Sequence, residues 1–90
     1  MPELLNTRVE DCFQQAEVFF KRPFKRPVVS FKLRGQKAGV AHLHENLLRF
    51  NPQLYRENSE DFLRQTVAHE VAHLIAHQLF GERIAPHGEE

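Results

Sequence analysis

Ninety residues, 41% of them hydrophobic and 27% charged, describe one small globular domain rather than a disordered tail, near the size at which a single core is only just sufficient. The formal net charge is zero, no apolar run approaches the length of a membrane span, and no basic stretch followed by an apolar one marks a secretory signal, so membrane partners are not expected. The single cysteine, Cys12, excludes an intramolecular disulfide and a Cys-rich zinc site and suits a reducing, cytoplasmic setting.

Leu5, Val9, Cys12, Phe13, Ala16 and Phe20 recur at helical spacing and Pro23 closes the stretch, which predicts an amphipathic helix of about four turns. Cys12 lies on its apolar side and reads as a small buried hydrophobe rather than a reactive thiol. A tandem tetrad follows, "FKRPFKRP" from Phe20 to Pro27, whose prolines forbid a continued helix or a central strand. Val29, Phe31 and Leu33 alternate with polar residues, the period of a strand with one buried face. Residues 35–39 read as a turn, Val40 to His44 as a second strand, and Leu47 to Phe50 as a third, ended by Asn51 and Pro52. Connections this short predict an antiparallel meander. Asn58 or Ser59 can cap a last helix from about Glu60 to Phe80, with Gly81 as its left-handed terminus. Between Val67 and Leu79 apolar residues cover nearly the whole circumference, so that helix is expected to be buried on all sides.

Three histidines interrupt that run in "VAHEVAHLIAHQLFG", and buried imidazoles and a carboxylate need a strong partner. His69 and His73, four residues apart, project from one helix face and can share one zinc ion, with Glu70 beside them to deprotonate a zinc-bound water. This is the HExxH arrangement of zinc peptidases. The third ligand is either His77 or His87. Ligands at i, i+4 and i+8 of a straight helix diverge by about 40° and climb about 6 Å per step, which disfavours His77. His87, between Pro86 and Gly88, can return over the helix from another direction. Of the remaining histidines, His42 and His44 alternate along the second strand and are expected at half-exposed positions rather than in the cleft. Tyr55 carries no expected role.

The segment "ENSEDFLRQTVAHEVAHLIAHQLFG" with "RIAPHGEE", and upstream "GQKAGVAHL" and "LRFNP", resembles the SprT-like metallopeptidase domain, the family that includes the DNA–protein crosslink protease Spartan. The resemblance covers about two-thirds of the chain. It implies an α+β, zincin-like fold with an N-terminal helix, a three-stranded antiparallel sheet and a C-terminal HExxH helix. It also implies Zn2+ held by His69, His73 and His87, Glu70 as catalytic base, and proteolysis of DNA-associated proteins in the bacterial cytoplasm or nucleoid. The family continues well beyond the third histidine, so residues 1–90 are expected to be the N-terminal part of such a domain.

Charge adds a second expectation. No Asp or Glu falls between Glu17 and Glu45, whereas seven Lys and Arg do. Lys21, Arg22, Phe24, Lys25 and Arg26 are therefore candidate contacts to single-stranded DNA, the basic groups on phosphates and the ring on a base. The rival to a protease is a non-catalytic DNA-binding module in which zinc only completes a small core.

Overall fold

The computed structural model describes residues 2–81. Helix α1 (Pro2–Phe20) is followed by strands β1 (Val28–Ser30), β2 (Gly39–His42) and β3 (Leu47–Phe50). Then come the short helices α2 (Pro52–Glu57) and α3 (Ser59–Asp61), a π-turn (Phe62–Thr66) and helix α4 (Val67–Phe80). This is the expected α+β architecture of helix, three-stranded sheet and motif-bearing helix. Among the described residues no helix is long and apolar enough to cross a membrane.

Helix α1 buries Leu5, Val9 and Phe13, one residue per turn, against the core that α4 completes with Val67, Val71, Leu74 and Ile75. It stops where Lys21 takes a left-handed conformation (φ 59°) and donates its N–H to the Glu17 carbonyl. Cys12 is half-buried and burial pushes its thiol pKa up, in keeping with an inert packing role.

The expected antiparallel meander is corrected in one pairing. The strand order is β1-β3-β2: β2 runs antiparallel to β3, but β1 runs parallel to it. β1 ends at Ser30 rather than running on through Leu33, and the segment 31–38, which includes most of the expected turn at 35–39, is not a hairpin. It carries the chain from one edge of β3 to the other, and Asn51 fixes its path. That side chain is nearly fully buried and donates from Nδ2 to the carbonyls of Gly35 (3.0 Å) and Lys37 (3.2 Å). Its Oδ1 accepts from the N–H groups of Gln53 and Leu54, capping α2, and its own N–H reaches the Ala38 carbonyl. Pro52, expected only to end the third strand, is the first residue of α2, a position whose N–H has no helical partner to lose.

The last helix also departs from expectation. The rod from Ser59 to Phe80 is not uniformly α-helical, and α4 buries one face only, leaving His69, Ala72 and His73 exposed. Alanines on the outer side of α4 made it look apolar all round, although an alanine gains little from burial.

Arg26 ties the connector to α1. Its guanidinium forks onto Glu10 (2.9 Å) and Glu17 (2.7 Å) while its Cζ sits 5.0 Å from the centre of the Phe13 ring. Arg26 is the main cause that lowers both carboxyl pKa values, that of Glu10 to about 2. A depressed carboxyl pKa stabilises the fold above its unfolded value and loses that stabilisation as pH falls through its folded value. Stability should accordingly drop between pH 4.5 and about 2, and Arg26→Met should flatten the drop in a series of urea melts. Exposure of both carboxylates to solvent keeps the effect small.

Candidate functional site

Four residues of spacing within an unbroken α-helix put His69 and His73 one above the other on the exposed side of α4. Their Nε2 atoms lie 3.1 Å apart with the rings nearly perpendicular. Two ligand nitrogens on a tetrahedral zinc, each about 2.0–2.1 Å from the metal, are separated by about 3.3 Å. The pair therefore fits two corners of such a site. His77 does not join them: its ring lies 5.4 Å from that of His44 in the β2–β3 turn. Among the described residues no group of three metal-ligating side chains converges, and His87 lies outside the described residues.

Glu70, next to His69 on the helix, turns into the seam between α4 and β2. Burial raises its carboxyl pKa, while the charges of His69, His73 and Lys37 and a hydrogen bond from the Ala41 backbone act in the opposite direction. It borders two clefts. One is shared with Lys37, Gly39, Thr66 and His69, the other with Lys37, Ala41, Leu43 and His73. Both run along β2, which is an edge strand.

Gly39 makes this seam possible. A Cβ at that position would stand 3.1 Å from Phe50 Cδ1, 3.2 Å from Glu70 Cγ and 3.2 Å from Thr66 Cγ2. A side chain there requires Phe50, Thr66 and Glu70 to give way by a few tenths of an ångström. Gly39→Ala is expected to cost about 1–3 kcal/mol in urea unfolding, as overpacking does, and to shift the Glu70 carboxylate. A crystal structure of the variant with Glu70 unmoved would count against this reading. Sequence reasoning assigned Gly39 only to a turn. A glycine placed where an edge strand meets the motif helix is a signal that becomes readable once the strand pairing is known.

His42 lies on the sheet face opposite α4, because Gly39 and Ala41 take the near face. Its Nδ1 is 3.8 Å from Glu45 Oε1 and its Nε2 is buried without a hydrogen-bond partner among the described residues. Tyr55 is buried in the core against Phe62, with ring centres 5.5 Å apart.

The basic segment is arranged differently from expectation. Phe24 is only 6% exposed, under the Arg22 guanidinium at 5.3 Å, so its ring offers no face to a base. Arg26 is committed to Glu10 and Glu17. The Lys25 backbone is pinned at both its N–H and its carbonyl by Gln78 of α4. The exposed aromatic rings beside this segment are instead Phe19 (77%) and Phe20 (42%), stacked edge to face next to the exposed Lys21 and Arg22.

A helix bearing HExxH thus lies along an edge strand with its glutamate in the seam. The SprT-like family model matches residues 9–90, and the chain belongs to the SprT-like family. Over all 90 residues it is 92% identical to Protein SprT of Pseudomonas fluorescens strain Pf-5, 90% identical to Protein SprT of strain Pf0-1, and 84% identical to Protein SprT of Pseudomonas syringae pv. syringae strain B728a. The chain spans 55% of the length of each of these curated relatives. No solved structure matches it.

Proposed function

We propose that this chain carries the catalytic half of a zinc-dependent peptidase that acts on DNA-associated proteins. His69 and His73 would hold the metal through Nε2, and His87 would supply a third nitrogen. Zinc so held would provide a Lewis acid to acidify water and polarise a carbonyl. Glu70 accepts the water's proton on its carboxylate and returns it to the leaving amine. The edge of β2, unpaired among the described residues, holds the substrate as an added strand, since main-chain pairing binds a peptide whatever its sequence. The observation that carries this reading is the convergence of the two Nε2 atoms at 3.1 Å beside a carboxylate that borders a cleft on either side. The test is hydrolysis of a protein substrate by the chain extended to the length of its relatives. Cleavage should stop with a chelator and return with zinc; cleavage that survives metal removal would sink the proposal.

A DNA-binding contribution is favoured by the exposed pair Phe19 and Phe20 next to Lys21 and Arg22. Single-stranded DNA should bind with an affinity that falls as salt rises. Replacing Lys21 and Arg22 with Ala should reduce the slope of log affinity against log salt by about 1.4, two phosphate contacts at about 0.7 each. Phe19→Ala should weaken binding and leave the slope nearly unchanged. Binding indifferent to salt and to all three replacements would make the segment a solvated surface.

A further inference from the structure

The π-turn sits directly before the motif helix, and the residues around it explain what it does. In an unbroken α-helix Phe62, five residues before Val67, would lie about 140° around the axis from it, and Leu63 would take the buried position. In the structure Phe62 is in the core, its ring 5.7 Å from that of Phe50 and 5.5 Å from that of Tyr55. The extra residue in the turn brings Phe62 round to the side of Val67, and the Val67 N–H accordingly donates to the Phe62 carbonyl, five residues back. That diverts the donor which the Leu63 carbonyl would have in an α-helix. Arg8 of α1 supplies a replacement, its Nε donating to the Leu63 carbonyl at 2.9 Å. Thr66 and Glu70, one turn apart across the junction of the π-turn with α4, are the two residues of this rod that crowd Gly39.

We infer that the π-turn sets the angular register of α4, and that Arg8 is a positioning residue for Glu70 and the two histidines. Were the turn to relax to α-helix with Phe62 kept in the core, α4 would rotate by about 100° and slide by about 1.5 Å. Glu70 would leave the seam beside Gly39, and the histidines would turn from the open side of the helix. The extra residue lets one rod anchor an aromatic ring under the sheet and still present its motif to the cleft. Arg8 reaches it from a separate helix, 55 residues away in the chain. The assignment rests on the zinc-peptidase reading for its functional meaning, but not for its geometry.

The test compares Arg8→Met, which keeps the apolar stem and loses the donor, with Arg8→Lys, which keeps a donor. In the metal-free chain, Arg8→Met should change the Leu63 carbonyl shift and the amide exchange of residues 62–67, and weaken the nuclear Overhauser contact between Glu70 and Gly39. The exchange rates of α1 and the sheet should stay as they are. Zinc affinity, read by competition with a chromophoric chelator, should fall about 10-fold, as when an outer-shell support is lost, and Arg8→Lys should recover most of it. An unchanged Glu70–Gly39 contact in Arg8→Met would overturn the inference whether or not the chain takes up zinc. So would an affinity loss that follows global unfolding and is not recovered by Lys. If the contact weakens but even the unaltered chain binds no zinc, the register assignment stands and the peptidase reading falls.

Discussion

Glu70→Gln, in a chain extended to the length of its relatives, should lose at least about 100-fold in peptide hydrolysis, the lower end of what a positioned general base contributes. Zinc content and melting temperature should stay those of the unaltered chain. The substitution separates chemistry from architecture because the amide has the shape of the carboxylate. It keeps the side-chain stem that faces Gly39. It cannot take a proton. An activity loss accompanied by zinc loss would make Glu70 a ligand or a structural support rather than a base. Undiminished hydrolysis would remove it from the mechanism and leave the rival, a DNA-binding module with a structural metal, to account for the site.

His73→Ala should abolish tight zinc binding and lower thermal stability steeply. A metal that binds the folded chain only, at about 1,000 times its dissociation constant, stabilises it by about 4 kcal/mol. For a domain of this size that corresponds to about 20 °C in melting temperature. The same fall should follow chelation of the unaltered chain, so the two effects should not add. His69→Ala should behave alike, since its Nε2 is the other half of the 3.1 Å pair. His87→Ala should weaken binding strongly, whereas His77→Ala, whose ring lies against His44, should change it little. The reverse ranking of His77 and His87 in a metal-competition titration would reassign the third ligand. A melting temperature indifferent to chelator would mean that no site assembles in these 90 residues.

What the sequence reveals most plainly is what its periodicity carries. The helical spacing of Leu5, Val9 and Phe13, the alternation that buries Leu48 and Phe50 together, and the motif on α4 are local patterns, and each appears in the structure as read. Strand direction is not local. Alternation assigns the faces of β1 but not its partner, and the parallel pairing depends on Asn51 holding the crossing segment from a position 14 to 16 residues further along the chain. The π-turn is hidden because Phe62 and Leu63 are both apolar, so a continuous helix satisfies the pattern equally well until the rings of Phe50 and Tyr55 select Phe62. In the basic segment, composition shows which residue types are present but not which are exposed. Phe24 and Arg26 proved to be structural, Phe19 and Phe20 surface rings. The tandem "FKRP" repeat conceals this difference, since its two copies read the same and sit in different surroundings.

The pairing of α1 with α4 has a consequence during synthesis. The apolar face of α1 emerges from the ribosome before the residues that cover it, which lie at the far end of the described chain; the Arg8–Leu63 bond alone spans 55 positions. At about 5–20 residues per second, Leu5, Val9 and Phe13 wait several seconds for their partners. The β2–β3 hairpin, closed by four residues, can form as soon as it is extruded. The nascent chain therefore exposes these three side chains before it has a core to bury them in.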